Sequence, residues 1–407
     1  MKFLVIVQDL RISGTSQGIL ERSFLYKLRK SYPNSVIDVY YLKAHVSDDS
    51  LNILPVDSII EVAINLKIPR IITWVNKIYW RMFHKSLNEN YKQKVYAKSI
   101  SKILFETYDY IFIRSSGVEC ETILGSHNLP ILRKAFITFN EPYPYFWCSG
   151  NKIDLSKLDF YRLKKMLAVV EQSKGCIATE FLARDMQFLY GTRKKFYALP
   201  HQFCEEAFEF KDFQNHFVKR MEIAISYHGA LQFGRDLDTL LEIYVELLNE
   251  NVLFKHKTEF FVRLKSSEYS RLKTKFKDVE NIQILNAVNF STSFKEQKCV
   301  ADINISLENG PLYCSVLLGK APLLDYLQKP FFSLSPTVSE MRTHIVNSKF
   351  LAGYNDRIEI KEKFASLIEE VLNGNKMNDR AFGNYFSDEN FKKHLDAILK
   401  DEYDRNV

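Results

Sequence analysis

Apolar residues occur along this chain in short runs that alternate with longer amphipathic stretches. The first run, Phe3–Val7, contains no polar position, which is typical of a strand covered on both faces. A glycine-containing loop over 11–18 follows, then an amphipathic stretch over about 19–29 and a second apolar run over 35–42. Strand, loop, helix and strand in this order predict a βαβ unit at the start of the chain.

The alternation continues and then begins again near residue 223. The segment 56–106 is mostly helical in pattern. In the first half the further predicted strands are 110–114, 132–139 and 175–178, and the segment 196–200 ends this half. In the second half they are 223–227, 259–263, 282–285, 301–306 and 330–334. Helices lie between them, one of them predicted over 315–327, so the sequence predicts an α/β fold with parallel sheets.

A length of 407 residues is more than one core normally holds, so we expect two domains. The restart of the pattern places them at 1–203 and 204–385. We expect a last helix, about 386–407, to pack back on the first domain. With 46% hydrophobic and 26% charged residues, the composition is that of a globular protein.

Charge and cysteine content narrow the possible partners and compartment. The net charge of +7 is spread over 56 basic and 49 acidic residues. This excess fits phosphate ligands or an anionic membrane surface, and it is too diffuse to indicate nucleic acid. The six cysteines form no C-x-x-C pair, which favours reduced thiols in the cytoplasm. The first apolar run stops at Gln8 and Asp9 and no apolar run is long enough to span a membrane, so neither a signal peptide nor a spanning helix is expected.

The clearest candidate for chemistry lies at the start of the second half. The apolar run over 223–227 leads to Gly229, then to Gly234 and Arg235, and an amphipathic helix begins behind Asp236. Glycine permits close approach of an anion, and the N–H groups at a helix start point toward it. We therefore predict a phosphate site with Arg235 as its cation; the alternative is an ordinary surface arginine.

Two further groups of candidate residues follow neighbouring strands of the second half. Arg263 and Lys265 end the next strand, at the edge where α/β proteins bind ligands, and are interpreted as phosphate contacts or as ordinary loop charges. Glu308 and Ser315 flank an Asn-Gly-Pro loop; the predicted helix starting near Ser315 would cradle a diphosphate, unless Ser315 is only an N-cap.

Asp325 lies within the predicted helix over 315–327. A carboxylate on an otherwise apolar helix face is costly unless it is paired. A ribose diol would pair it, as in dinucleotide sites. The alternative is an Asp that faces solvent with Lys329 four residues later.

Taken together, these motifs resemble those of glycosyltransferase family 4 in order and spacing. Matching segments are Gly229 with Arg235 and Leu237–Leu241, the strand Ala301–Ile303, the helix Pro322–Pro330, and the linker Pro200–Phe208. The resemblance implies the GT-B architecture, with two Rossmann-like domains whose parallel sheets face a central cleft. It also implies a nucleotide-diphosphate sugar as donor, retention of anomeric configuration and no metal ion, with Arg235 neutralising the leaving phosphate.

The chain departs from the family pattern at three positions. Ala230 stands where many members carry the first diphosphate cation, so Arg263 or Lys265 would have to replace it. Leu317 stands at the first of two signature glutamates and Asp325 at the second; Glu308 is then expected to reach the donor sugar from the preceding loop.

In the first half, the loop Ser13-Gly-Thr-Ser-Gln-Gly18 resembles the family's loop after strand one. The resemblance implies that Gly14, Thr15 and Ser16 lie beside the acceptor. Glu141 ends a predicted strand and is interpreted as orienting the acceptor hydroxyl or as a turn residue. His201 and His228 are more easily explained as structural histidines than as catalytic ones.

Tryptophan and basic residues are interleaved in the segment 62–85. They predict either ordinary helix packing with solvated lysines or a peripheral contact with the inner face of the plasma membrane. We therefore expect a cytoplasmic glycosyltransferase that acts on a glycan or lipid-linked acceptor in bacterial surface-polysaccharide synthesis. The alternatives are a nucleotide-sugar epimerase of the same fold and a catalytically degenerate partner subunit.

Overall fold

The computed structural model describes residues 1–12, 16–46, 49–191, 193–210, 216–265, 268–375 and 380–400. The chain divides into two units. Unit 1 consists of residues 1–148, 152–208 and 387–407, and unit 2 consists of residues 149–151 and 209–386. Each unit is an α/β layer structure with its own parallel sheet.

Unit 1 is built on a seven-stranded sheet in the order β3-β2-β1-β4-β5-β6-β7. Every neighbouring pair in it is parallel. The strands are β1 (Lys2–Val7), β2 (Val36–Lys43), β3 (Ser58–Ala63), β4 (Tyr110–Arg114), β5 (Ala135–Thr138), β6 (Gly175–Ala178) and β7 (Phe196–Ala198). The helices between them are α1 (Ser16–Ser31), α2 (Arg70–Phe83), α3 (Leu87–Ile100), α4 (Glu121–Gly125), α5 (Lys157–Gln172) and α6 (Glu180–Tyr190).

Strand β1 shows why these residues form a central strand. Phe3, Val5 and Val7 face one apolar core and Leu4 and Ile6 face another, and all five are almost completely buried. Both faces are covered, so the run needs no polar alternation, as its sequence predicts.

One element of unit 1 differs from the prediction. The segment 56–106 is not helical from its start, because Ser58–Ala63 forms β3 and pairs in parallel with β2. Four of its six side chains are exposed and two are half-buried, so this edge strand is not covered on both faces like the inner strands. The helices α2 and α3 follow it.

Unit 2 is built on a six-stranded parallel sheet in the order β10-β9-β8-β11-β13-β15, with a two-stranded sheet of β12 and β14 beside it. The strands are β8 (Ile223–Gly229), β9 (Thr258–Leu264), β10 (Ile282–Asn286), β11 (Ile303–Leu307), β12 (Tyr313–Cys314), β13 (Phe331–Ser335), β14 (Val338–Ser339) and β15 (Leu351–Gly353). The helices are α7 (Asp238–Glu250), α8 (Val252–Lys257), α9 (Tyr269–Lys275), α10 (Phe290–Lys295), α11 (Ala321–Leu327), α12 (Glu340–His344) and α13 (Arg357–Leu372).

The helix predicted over 315–327 is wrong in its first half. Helix α11 begins only at Ala321, with Pro322 in its first turn, where a missing N–H group costs nothing. The preceding residues, Val316–Leu318, are buried and non-helical; Leu317 and Leu318 pack in an apolar cluster with Leu324 and Phe331. Burial of this run therefore overrides the helical pattern.

The last helix, α14 (Asp388–Lys400), belongs to unit 1. The ring of Phe391 meets that of Phe24 edge-on, with centroids 6.1 Å apart. The carboxylate of Asp388 forms an ion pair with Lys27. Helix α14 thus completes the core on one face of the unit 1 sheet, beside α1.

Candidate functional site

The order of strands in unit 2 identifies one edge as the place where a ligand is expected. From β8 the chain moves outward through β9 and β10, and then returns to the other side of β8 with β11. At such a switch point the loops leave in opposite directions and open a crevice at the carboxyl ends of the strands. Gly229 ends β8, and Glu308 and Asn309 follow β11 at this edge.

Arg235 lies in the loop after β8 and its guanidinium is held in place by oxygen atoms. Its Nε donates to Oδ1 of Asn309 at 2.9 Å, and its Nη1 donates to the carbonyl oxygen of Ala230 at 3.3 Å. The first bond joins the loops that follow β8 and β11, so the cation stands at the switch point. Helix α7 begins three residues later, at Asp238.

Three glycines with positive φ lie in and around the loop that carries Arg235. Gly150, Gly234 and Gly310 have φ values of +77°, +77° and +67°. The N–H of Gly310 donates to the carbonyl oxygen of Phe233 at 2.8 Å. A Cβ on Gly150 would lie 1.7 Å from that same oxygen, so a side chain at this position would displace the loop next to Arg235.

Lys320 supplies a second cation that was not predicted as a site residue. Its Nζ donates to the carbonyl oxygen of His228 at 2.8 Å and lies 4.9 Å from the centroid of the Tyr227 ring. Burial, and then the charge of Arg235, lower the pKa of Lys320 to about 7. A Cβ on Gly229 would lie 3.3 Å from this Nζ, so glycine leaves room for the ammonium group.

Arg235 and Lys320 have no carboxylate partner among the described residues. Within the part of the chain that the structure describes, neither Arg235 nor Lys320 forms an ion pair; their partners are carbonyl and amide oxygens. Two positive charges held close together in a partly buried edge repel each other, and an anion between them would remove that cost. The arrangement therefore fits a ligand with one or two phosphate groups.

Glu308 lies fully buried at the end of β11, beside Asn309. Its Oε1 accepts a hydrogen bond from Oγ of Ser339 at 3.0 Å, and its backbone carbonyl accepts one from the hydroxyl of Tyr354 at 2.5 Å. Burial raises the pKa of Glu308 to about 7, since the charged form is poorly solvated there. Near neutrality this carboxyl group can donate as well as accept a hydrogen bond.

Arg263 and Lys265 occupy different environments. The guanidinium of Arg263 forms two hydrogen bonds to the buried carboxylate of Glu296, of 3.0 and 2.6 Å, so its charge is already balanced. Lys265 is exposed, and its backbone N–H donates to the carbonyl oxygen of Gly229 at 3.3 Å. Of these two residues, Lys265 is therefore the one whose backbone contacts the end of β8.

Ser315 does not begin a helix, so the expected diphosphate cradle at that helix start is wrong. It lies buried in the extended segment after β12, and its N–H donates to Oγ of Ser149 at 3.4 Å. Its own Oγ has no hydrogen-bond partner in the described part of the chain. Asp325 is half-buried on α11, and the ammonium of Lys329 donates to the carbonyl of Ala301 at 2.6 Å.

In unit 1 the carboxyl edge carries a buried polar network around Asn140, the residue before Glu141. Nδ2 of Asn140 donates to Oε1 of Gln17 at 2.8 Å and to Oε1 of Glu21 at 3.0 Å. Glu21 also forms an ion pair with Arg114, the last residue of β4. The network ties the start of α1 to the ends of β4 and β5, a link that no sequence spacing indicates.

The predicted acceptor-side residues stand beside this network. Ser16 is exposed at the first position of α1, and Glu141 is half-buried after β5. Gly14 and Thr15 lie outside the described residues. His201 is buried at the end of unit 1 and its pKa is lowered to about 3 by burial and by the charge of Arg114, so its imidazole is neutral near pH 7.

His228, in unit 2, is also neutral. Burial and the charges of Lys320 and Arg263 hold its pKa well below the ordinary value. Its Nδ1 lies 3.0 Å from Oγ of Ser293, and its backbone carbonyl holds Lys320.

The chain is similar in structure to solved proteins, but its sequence matches neither a family profile nor a curated protein. A UDP-GlcNAc 2-epimerase from Neisseria meningitidis, bound to UDP-GlcNAc, superposes with a TM-score of 0.55 at 13% identity over 98% of this chain and 100% of its own. An E. coli trehalose-6-phosphate enzyme, bound with UDP-2-fluoro glucose, gives 0.59 at 10% identity over 98% and 99%.

The lipopolysaccharide outer core galactosyltransferase WaaB gives a TM-score of 0.54 at 10% identity, over 99% of this chain and 100% of its own. These proteins share the GT-B fold, which is therefore the fold of this chain. At such low identities the likeness shows the fold alone, and no match assigns the chain to family 4.

Proposed function

We propose that this protein is a glycosyltransferase that binds a nucleotide-diphosphate sugar at the carboxyl edge of the unit 2 sheet. The observation that carries the proposal is the pair of cations, Arg235 and Lys320, which carbonyl and amide oxygens hold and which no carboxylate of the described ranges pairs. A pyrophosphate provides the missing negative charge. UDP and UDP-sugars are the ligands of several solved structures with the same fold, which supports a uridine nucleotide as the first ligand to test.

The chemistry of transfer follows from the charge on the leaving group. When the bond from the anomeric carbon to the phosphate oxygen breaks, negative charge develops on the nucleoside diphosphate. Arg235 and Lys320 stabilise this charge, a task that in other active sites falls to a metal ion or an oxyanion hole. As the acceptor oxygen bonds to the anomeric carbon, its proton passes to the departing phosphate oxygen. We assign the positioning of the acceptor hydroxyl to Glu141 and the loop 14–16.

The finer features of the proposal come from the resemblance to family 4. We propose retention of anomeric configuration, no requirement for a metal ion, and a glycan or lipid-linked acceptor in surface-polysaccharide synthesis. Lys265, Glu308, Ser315 and Asp325 are proposed as the remaining donor contacts. Action at the inner face of the plasma membrane is part of this proposal.

Binding and turnover together test the proposal. Isothermal titration calorimetry with UDP-glucose and UDP-N-acetylglucosamine should show binding, and Arg235→Ala should weaken it by about 1.5–3 kcal/mol because charge-assisted hydrogen bonds are lost. Arg271→Ala is the matched control, because this arginine is paired with Asp238 on the surface. If Arg235→Ala binds as tightly as the parent, the cation pair is not the phosphate site.

A nucleotide-sugar 2-epimerase is the second candidate, because epimerases are among the proteins of this fold. Incubation with UDP-N-acetylglucosamine and NMR analysis of the sugar distinguishes the two. Slow release of UDP without change at C2 supports transfer, and inversion at C2 supports the epimerase. Absence of nucleotide binding would support the catalytically degenerate subunit.

A further inference from the structure

Helix α2 of unit 1 presents a row of apolar side chains to the outside. Five residues at positions i, i+3, i+4, i+7 and i+11 lie on one face of the helix. Their exposed fractions are 71% for Ile71, 65% for Trp74, 37% for Val75, 54% for Ile78 and 67% for Met82. We call this row the outer stripe.

A different face attaches α2 to unit 1. Ile72, Asn76 and Tyr79 are half-buried, and Oδ1 of Asn76 accepts a hydrogen bond from the N–H of Leu87 at 2.7 Å. No residue of α2 is fully buried. The outer stripe is therefore not used to pack α2 on its own unit. Apolar side chains in such a row are normally buried, so their exposure needs another explanation.

Basic residues accompany the outer stripe, and acidic ones are absent. Arg70, Lys77 and Arg81 are exposed and, at 100° per residue, fall along one flank of the stripe. Lys67 and Lys85 stand beyond the two ends of the helix, and the sequence contains no Asp or Glu between Glu61 and Glu89. The surface is thus apolar along its centre and positive along its side.

We propose that the outer stripe of α2 binds the surface of an anionic phospholipid bilayer. Apolar side chains enter the boundary between headgroups and acyl chains, and the flanking cations bind lipid phosphates. Helix α2 has 14 residues and is about 21 Å long, shorter than a hydrocarbon core of about 30 Å, so it lies in the interface. No helix in the described ranges is long and apolar enough to cross a bilayer.

Charge and side-chain chemistry favour lipid over another occupant. A second copy of the chain would bring two rows of like charge together and would gain no acidic partner for either. Trp74 and Trp80 are both exposed, and tryptophan favours the zone where one end of the ring is apolar and the other is hydrated. The inference deepens the membrane contact named in the proposed function. It rests on α2 and not on the donor site, so a failure to bind vesicles and a failure to bind nucleotide are distinguishable.

Sedimentation with vesicles tests the inference. The full chain should bind vesicles of phosphatidylglycerol mixed with phosphatidylcholine, and bind pure phosphatidylcholine far more weakly. The double variant Trp74→Ser with Ile78→Ser should lose at least about tenfold in partitioning, because two apolar side chains no longer leave water. The triple variant Arg70→Glu, Lys77→Glu, Arg81→Glu should lose about a hundredfold, at about fivefold for each lost cation.

Matched control variants test whether vesicle binding depends on the outer stripe or only on the net charge and exposed apolar area of the whole protein. Lys255→Glu, Lys277→Glu and Lys393→Glu change the net charge by the same amount at exposed sites, and Phe188→Ser with Ile358→Ser removes two exposed apolar side chains. Both controls should bind vesicles like the parent. Circular dichroism melting checks that every variant is folded.

Three results would overturn the inference. The first is equal binding of the parent to the two kinds of vesicle. The second is a control variant that loses as much vesicle binding as its test variant. The third is a parent that elutes as a dimer in gel filtration, with a double variant that elutes as a monomer. The last result would assign the outer stripe to a second copy of the chain.

Discussion

The pKa of Lys320 makes nucleotide binding depend on pH in a way that can be calculated. In the free protein this pKa is lowered to about 7 from the ordinary 10.5 by burial and by Arg235. A bound diphosphate favours the ammonium form and raises the pKa again. Above pH 7 the ligand therefore binds together with a proton, and its affinity falls as the pH rises.

The size of the effect follows from how far the pKa recovers. If the diphosphate restores the full pKa of 10.5, the affinity falls about fiftyfold between about pH 7 and pH 9. If it raises the pKa by only about one unit, the fall is about fivefold. A nucleotide-diphosphate sugar has no phosphate group that titrates in this range, so the diphosphate adds no pH dependence of its own.

Calorimetric titration of UDP-glucose in buffers of different ionisation enthalpy measures both the affinity and the protons taken up. For full recovery of the pKa, we expect uptake of about half a proton at pH 7 and close to one proton at about pH 8 to 9. Lys320→Arg keeps a charged side chain at every pH, so it should lose the proton uptake and the fall in affinity that Lys320 causes. Lys320→Met should bind more weakly at pH 7 and should lose them as well. Because the pKa of Glu308 is also about 7, Glu308→Gln in the parent and in both variants removes the contribution of that carboxyl group.

A fall in affinity of the same size in Lys320→Met and in the parent would refute the reasoning, because the titrating group would then lie elsewhere. So would proton release by the parent on binding. Thermal melting at each pH ensures that a change in affinity is not a loss of folded protein.

Two further predictions concern the surroundings of this site. The pKa of Glu308 is raised from 4.5 to about 7, so this group stabilises the fold at low pH and the contribution is lost as the pH rises through about 7. In urea unfolding, Glu308→Gln should therefore gain stability relative to the parent by up to about 3 kcal/mol between about pH 4.5 and pH 8; an unchanged difference between them would contradict the assigned pKa. Gly150→Ala should weaken UDP-glucose binding, because its Cβ would collide with the carbonyl of Phe233 in the loop next to Arg235. The same strain should lower the melting temperature, so binding is measured well below it. Gly374→Ala also places a side chain at positive φ but meets no neighbour, so it should bind like the parent.

The sequence predicted correctly those strands whose two faces are both buried. The strands at 110–114 and 175–178 lie at the predicted residues, because inner strands of a parallel sheet are apolar throughout. Strand β3 was missed since four of its six side chains are exposed. The helix start near Ser315 was misplaced because a buried non-helical run such as Val316–Leu318 has the same composition as a buried helix.

The candidate site was predictable where its parts are close together along the chain. Gly229 and Arg235 belong to one strand, loop and helix, and the structure places them at the switch point. Lys320 lies far along the chain from Arg235, and only the return of the chain through β11 brings the two together. For Arg263, the strand end was visible in the sequence, but the buried Glu296 that balances its charge was not.

The position of α14 has a consequence for the order in which the protein can be completed on the ribosome. Residues 209–386 form nearly all of unit 2 and emerge before the helix that unit 1 still needs. Until α14 is synthesised, Phe24 packs on Phe112 of the sheet but lacks Phe391 on its other side, so the first unit to begin folding is the last to finish. A nascent chain stalled before residue 388 would therefore expose this apolar surface to chaperones.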